Sequence, residues 1–423
     1  MPITGNRKSQ SIYTDCDSKS GRRVSPCTSD FERSKQPLFE SNRGDAELLK
    51  DVDAWEGAGP LFGLQSVYIH IPFCHKKCPY CHFYSLCPKT SYKTDFLKAL
   101  LKEIKNNPLL HAATIYIGGG TPSMLDIRSL EQILKHLPPA IEITIEANPN
   151  DLTLEKVKQF KAININRISI GCQSFDDISL KILQRNHSAK TNLQAIENSF
   201  NGGIDNISID LMYDIPDQTI KSFKKSLNII NSLPIKHLSL YNLTLEPNTP
   251  FYKEKDKLLP RIAKDDKSLL FFKMAIHHLK NMGFTHYEIS AFAKKGYLSK
   301  HNVGYWTNRE FFGFGPSAFS YVNGKRFQNV ANLFLYIKNI NNNLSPIDFK
   351  EELNEPAKTN ERLIIGLRML KGININHLPP LHPSTQQIIK KLLNQKLLKY
   401  HGSTLSLSKK GLLFYDLIAE ELV

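Results

Sequence analysis

Between Ser66 and Leu240 the chain repeats one rhythm. Short runs rich in β-branched and aliphatic residues fall at 66–71, 114–117, 141–146, 166–170, 204–210 and 235–240. Stretches with helical periodicity separate them, at 91–106, 127–136, 152–162, 175–184, 190–200 and 219–231. Strands that alternate with helices pair in parallel, because a parallel pair needs a long crossover and a helix supplies it. Six such units are fewer than the eight that close a full barrel. The expected fold class is therefore α/β, an incomplete (β/α)6 barrel, with its chemistry on the loops at the carboxyl ends of the strands.

The flanks read differently. Residues 1–64 are rich in Ser, Asp, Arg and Gly without sustained periodicity, which predicts an irregular or flexible extension in which Cys16 and Cys27 are incidental. After Leu240 a loop with Pro247 and Pro250 leads to a helix at 264–281 and a short strand at 284–289. The barrel and these following elements are expected to fill 65–299. A smaller, mainly helical domain is expected over 300–423, with helices at 361–371 and 384–399 and a closing wing and packing helix from Leu405 to Val423. A chain of 423 residues exceeds what one small core serves, which agrees with two parts.

Composition narrows the setting. A hydrophobic content of 41% suits a soluble globular protein, and no apolar run approaches the roughly twenty residues of a membrane span. The start, Met1-Pro-Ile-Thr-Gly-Asn-Arg-Lys8, lacks the apolar core of an export signal, so a cytoplasmic location is expected. Seven cysteines in a chain this long do not make a disulfide framework. The net charge is +15, yet residues 1–66 hold nine basic and ten acidic side chains, so the excess lies in the body. It is spread over Lys-rich helices without an aromatic-spaced basic patch, and no nucleic-acid partner is expected. Such a body suits peripheral docking at an anionic membrane, or simply solvated helix faces.

Three of the cysteines are clustered, in Cys74-His-Lys-Lys-Cys78-Pro-Tyr-Cys81. Three thiolates at this spacing suit three corners of a four-iron cluster and leave one iron open to chelate a small molecule. The competing reading is zinc, which wants four ligands and would have to recruit His75 or His82. Other chemistry-bearing residues fall at strand ends. Gly118-Gly119-Gly120-Thr121 permits close backbone approach or a tight turn, and Glu146 precedes a proline that ends its strand. Gln173 and Asp210 close the fourth and fifth strands. Arg185 offers forked donors suited to a carboxylate. Each has a plain alternative as a turn, a surface charge or a cap. Cys172 reads as packing, and Met212 either as packing or as a contact to a bound cofactor.

The run Tyr68-Ile-His-Ile-Pro-Phe-Cys74 with Cys78 and Cys81 resembles the cluster signature of the radical S-adenosylmethionine (SAM) superfamily. Within it the chain resembles the branch of oxygen-independent coproporphyrinogen III oxidase and the HemW heme chaperones. The oxidase pattern carries a further cysteine where this chain has Phe83, and Cys81-His82-Phe83-Tyr84-Ser85 is closer to the HemW pattern, from which His82 and Tyr84 depart. The segments Leu240–Phe251, Tyr287–Ser290 and Gly313–Ser320 agree, although many relatives have a histidine at Phe319. The resemblance implies a radical SAM barrel in which Cys74, Cys78 and Cys81 hold a [4Fe-4S] cluster with an exchangeable SAM. It also implies that Tyr68, Gly118, Gly119, Gly120, Thr121, Glu146, Gln173, Arg185 and Asp210 bind that cofactor.

His301-Asn302-Val303-Gly304-Tyr305-Trp306 resembles the HNxxYW element associated with heme binding. His301 is then a candidate iron ligand, with Tyr305 and Trp306 against the porphyrin; the alternative is that the segment braces a junction. The implied function is a heme chaperone that carries heme b to a heme-accepting respiratory protein at the cytoplasmic membrane, with an electron donor if radical chemistry occurs. No catalytic residue is assigned. The alternatives are the coproporphyrinogen III oxidase itself or another tetrapyrrole-acting radical enzyme.

Overall fold

A computed structural model describes residues 64–87 and 90–423. The irregular extension expected over 1–64, with Cys16 and Cys27, lies outside the described residues apart from Leu64. The α/β rhythm is realised as β1 (Gln65–Ile71), α1 (Thr90–Asn106), β2 (Ala112–Gly119), α2 (Ile127–Lys135), β3 (Glu142–Ala147), α3 (Leu154–Ala162) and β4 (Arg167–Gln173). It continues with α4 (Asp177–Ile182), α5 (Ala189–Asn201), β5 (Asn206–Tyr213), α6 (Ile220–Ile230) and β6 (His237–Asn242). Local chemistry starts the helices. The side chains of Asp126, Thr153, Asp176, Ser188 and Thr219 each accept a first-turn N–H that would otherwise lack a partner.

β1 to β6 pair in parallel, each with the next. A parallel strand covered on both faces by apolar layers reads as a continuous hydrophobic run. These strands instead alternate: Tyr68-Ile-His-Ile71, Thr114-Ile-Tyr-Ile-Gly118, Glu142-Ile-Thr-Ile-Glu146, Arg167-Ile-Ser-Ile-Gly171, Asn206-Ile-Ser-Ile-Asp210 and His237-Leu-Ser-Leu-Tyr241. The aliphatic set is buried, and each such side chain contributes roughly 1.5–3 kcal/mol. The register sets Tyr68 beside Tyr116, Tyr116 beside Thr144, Thr144 beside Arg167, Ser169 beside Ser208 and Asp210 beside Ser239. The other face of the sheet is therefore polar across all six strands.

The chain then runs through α7 (Pro250–Lys253), α8 (Lys255–Leu258), α9 (Asp265–Asn281), β7 (Thr285–Glu288), β8 (Ala291–Ala293) and α10 (Lys300–Trp306). It continues through β9 (Phe311–Phe314), β10 (Phe319–Val322), β11 (Lys325–Asn329), α11 (Leu333–Asn341) and β12 (Ile347–Glu352). The strand order is β12-β11-β10-β9-β1-β2-β3-β4-β5-β6-β8-β7, so β1 and β6 each turn to another neighbour and the barrel stays open.

The sheet continues across residue 300, near which the smaller domain is expected to begin. β9 pairs in parallel with β1, and the strands up to Glu352 belong to the same sheet. A buried carboxylate ties the two stretches: Glu103 on α1 accepts from Tyr336 Oη at 2.6 Å, Gly315 N at 2.8 Å and Asn329 Nδ2 at 2.6 Å. Beyond Glu352 the chain is mainly helical, with α12 (Ala357–Leu367), α13 (Pro383–Asn394), α14 (Tyr415–Leu422) and a small sheet of β13 (Ile373–Asn374), β14 (Leu398–His401) and β15 (Thr404–Leu407). These elements share a hydrophobic cluster that includes Leu363, Leu367, Leu392, Leu405 and Ile418. Among the described residues no helix is long and apolar enough to cross a membrane.

Candidate functional site

The cysteine loop leaves the carboxyl end of β1 and is stapled at its base. Cys74 N donates to Leu86 O at 2.9 Å and Leu86 N to Pro72 O at 2.7 Å, while Cys81 N reaches Cys78 O at 3.1 Å. Cys74, Cys78 and Cys81 are free and half-buried. Burial pushes the Cys74 thiol up and the Cys81 thiol to about 11. Thr121 Oγ1 lies 3.5 Å from Cys74 Sγ, and Arg185 Nη1 lies 3.2 Å from Cys78 Sγ. A further free thiol, the exposed Cys87, reaches His75 O at 3.5 Å; sequence reasoning passed over it. The two histidines of the zinc reading are engaged elsewhere: His75 Nε2 lies 3.4 Å from Asp151 Oδ1, and the exposed His82 ring lies tilted against Phe83 with centroids 4.5 Å apart. Among the described residues no three His, Cys, Asp or Glu side chains converge on a single metal-ion position.

At the end of β2 the glycines are required by their neighbours. A Cβ on Gly118 would stand 2.9 Å from the Tyr116 ring and 3.1 Å from the Glu146 carboxyl carbon, and one on Gly120 would meet Phe73 O at 2.5 Å. Gly119 has φ +108°, in the left-handed region, and its N–H donates to Glu146 Oε2 at 3.1 Å. Tyr116 Oη donates to Glu146 Oε1 at 2.8 Å. Glu146 is thus held on both oxygens, although burial still raises its carboxyl above the usual range against those bonds. Burial, and then the Glu146 charge, push Asp210 up to about 7, with the Ser239 hydroxyl opposing.

On the far side of the pocket Gln173 takes a left-handed φ of 63°. A Cβ on Gly171 would crowd Gln173 Nε2 at 3.1 Å and Arg185 Nη2 at 3.4 Å. Arg185 Nη2 donates to Gly171 O at 3.0 Å, while its Nε is buried without a partner. Burial opposes the Arg185 charge, but Tyr80 and Cys78 outweigh it and raise the pKa. A cavity of about 550 Å³, lined in part by Lys76, Lys181, Arg185 and His187, opens beside it. The structure therefore gathers Gly118 to Thr121, Glu146, Gln173, Arg185 and Asp210 around the cysteine loop. Tyr68 stacks on Tyr116 with ring centroids 6.3 Å apart. Met212 packs with Leu183 and Ile215, and Cys172 is fully buried.

Exposure divides the polar face. Towards the carboxyl ends Tyr116, Glu146, Gln173, Asp210 and Tyr241 keep part of their surface open, whereas Ser66, Thr114, Thr144, Arg167, Ser208 and His237 at the other end are closed off. The open end suits SAM by its donor set. Paired carboxylates match an amine and ribose hydroxyls, a forked guanidinium matches a carboxylate, and thiols match iron.

The His-Asn-x-x-Tyr-Trp segment forms α10. His301 is 1% exposed, with Nδ1 2.8 Å from Thr114 Oγ1 and Nε2 2.8 Å from Tyr305 Oη. Its ring lies 5.0 Å from that of Tyr116. Burial, followed by the Arg309 charge, holds its pKa well below the ordinary value, so the ring is neutral. Trp306 is 7% exposed, and the Arg368 guanidinium lies over its ring at 4.2 Å. Both nitrogens of the His301 ring, the candidate iron ligand, are thus taken in this structure, and the Trp306 indole is covered. Tyr116, the residue that joins this segment to Glu146, was missed by sequence reasoning. Its signal was the alternation along β2, where a tyrosine stands among isoleucines.

An open parallel sheet with a cysteine loop after its first strand and a polar, glycine-lined pocket at its carboxyl end defines a radical SAM protein. The sequence pattern of the Radical SAM superfamily is matched by residues 68–230, and that of the HemN C-terminal domain by 353–414. The solved coproporphyrinogen III oxidase (HemN) of Escherichia coli superposes with a TM-score of 0.74 over 85% of this chain and 90% of that one, at 21% identity, a likeness of fold. The heme chaperone HemW of Lactococcus lactis is 32% identical over 82% of this chain and 94% of its own length, and that of Bacillus subtilis is 36% identical over 74% and 85%. The chain belongs to the HemW family of the radical SAM superfamily. That superfamily implies a [4Fe-4S] cluster and SAM.

Proposed function

We propose that this protein is a heme chaperone that holds a [4Fe-4S] cluster and SAM at the strand-end pocket, binds heme b and passes it to an acceptor hemoprotein. The observation that carries the reading is the match to the heme chaperone HemW of L. lactis over 94% of that protein's length. The oxidase likeness, at 21% identity, speaks to fold alone.

Cys74, Cys78 and Cys81 are the proposed cluster ligands, each losing a proton that burial otherwise favours keeping on Cys74 and Cys81. Glu146 and the glycine backbone would take the methionine amine of SAM, Arg185 its carboxylate, and Gln173 and Asp210 the ribose. When bound, the pair supplies one-electron reductive chemistry from an external donor. Arg185, now 3.2 Å from Cys78 Sγ, would turn its guanidinium to the carboxylate, and Asp210, as a carboxylate, would accept from the hydroxyls. The acceptor proposed is a respiratory hemoprotein on the cytoplasmic face of a membrane, for which the net charge of +15 favours approach.

Anaerobic product analysis of the iron-reconstituted protein with SAM, a reductant and coproporphyrinogen III, beside a heme titration, tests the reading. Stoichiometric heme binding without decarboxylation is expected. Formation of protoporphyrinogen would overturn it.

A further inference from the structure

The floor of the pocket carries an inference beyond the cofactor contacts themselves. Tyr116 hydroxyl is one of two groups that fix Glu146, the other being Gly119 N–H. The Tyr116 ring is held between Tyr68, at 6.3 Å, and His301, at 5.0 Å. His301 is itself fixed on every side. Glu142 accepts the backbone N–H groups of Lys300 at 3.1 Å and His301 at 3.0 Å. Thr114 donates to Ser66 Oγ at 3.0 Å and so accepts from His301 Nδ1, which leaves Nε2 to accept from Tyr305 Oη. One neutral tautomer satisfies the whole chain, and Arg309 Nη1 closes it at Ser66 Oγ at 3.3 Å.

We propose that His301 and Tyr116 are positioning residues for SAM: His301 locks the Tyr116 ring, and Tyr116 aims the Glu146 carboxylate at the cofactor. The role of α10 is then to set the cofactor pocket from below, with no bond from His301 to heme iron. An iron bond from His301 would need the Tyr305 or Thr114 bond broken and a 1% exposed ring brought out. Nothing in the site compensates that loss.

The inference rests on the reading of Glu146 as a SAM contact, and the test separates the two. SAM affinity is measured on the iron-reconstituted full chain by equilibrium binding. The change that SAM causes in the electron paramagnetic resonance spectrum of the reduced cluster is recorded alongside, with iron content as the control. Failure of the wild type to bind SAM would remove the parent reading. With wild-type binding established, Tyr116→Phe, which removes one hydroxyl, is expected to weaken SAM roughly five- to tenfold with iron content retained. His301→Ala is expected to weaken SAM similarly and to leave heme affinity unchanged. His301→Phe, which keeps a flat ring against Tyr116, is expected to restore SAM affinity relative to His301→Ala. Unchanged SAM affinity in Tyr116→Phe overturns the proposal even if the His301 variants fold poorly. Loss of heme with SAM affinity intact in His301→Ala overturns it equally.

Discussion

The mouth and the floor of the barrel are built from the same strands and the same alternation, yet Arg185 at the one and His301 at the other stand differently to the space around them. At the floor His301 has both ring nitrogens bonded, and Thr114 and Ser66 pass the chain on to Arg309. At the mouth Arg185 Nε has no partner and Asp210 is driven up to about 7 by burial and by Glu146. A buried polar group without a partner costs roughly 1–3 kcal/mol, and the closed-off end carries that cost too, at Thr144 Oγ1 and Arg167 Nε. Polarity inside the barrel therefore does not by itself mark a binding site. Access does: Arg185 borders a cavity of about 550 Å³, whereas His301 is 1% exposed with both ring nitrogens bonded, although both belong to motifs the sequence singles out.

The largest effect that could break this contrast lies in the cysteine loop. Cys78→Ala is expected to abolish cluster assembly, with iron per chain falling to near zero; a variant that still takes up four irons would remove the ligand assignment. Next comes the floor. Thr114→Val deletes the hydroxyl that links His301 to Ser66 and should lower stability by about 1–3 kcal/mol in a denaturant titration, because His301 Nδ1 is left buried and unpaired. A stability equal to wild type would mean that the bond between His301 Nδ1 and Thr114 contributes nothing to the floor.

A smaller effect sharpens the account of the mouth. Asp210 has its pKa raised to about 7 in the cofactor-free protein. Two ribose hydroxyls favour the ionised carboxylate, so binding releases a proton at lower pH and SAM affinity should rise as pH passes from 6 to 8. Asp210→Asn should flatten that rise while weakening binding overall, and an unchanged slope would shift the titration to another group. The smallest effect concerns Cys172, fully buried and remote from the loop in sequence. Cys172→Ala should cost about 1–2 kcal/mol of stability and leave iron content unaltered.

The legible part of the molecule was that governed by local pattern. The β-branched runs located all six barrel strands to within a few residues, the cysteine spacing located the loop, and the residues following each strand located Glu146, Gln173 and Asp210 at one end. Strands β9 to β12 were not legible, because they are short, aromatic or charged, and only β9 is anchored on β1, far away in sequence, with β10 to β12 added in turn beside it. Glu103 sits in a lysine-bearing helix and reads as a solvated charge, yet it takes three hydrogen bonds from residues more than 200 positions later. The same holds for His301. Its motif is visible in the sequence, but whether its ring faces solvent or Tyr116 is decided by β2 and β3, against which α10 is capped and packed.

The central claim is that the strand-end pocket binds SAM against a cluster held by the three-cysteine loop. Its most direct test is the electron paramagnetic resonance spectrum of the reduced, iron-reconstituted protein recorded with and without SAM. The account predicts a [4Fe-4S] signal that changes on SAM addition and that Arg185→Ala no longer changes at the same SAM concentration. A cluster signal indifferent to SAM in the wild type would contradict it.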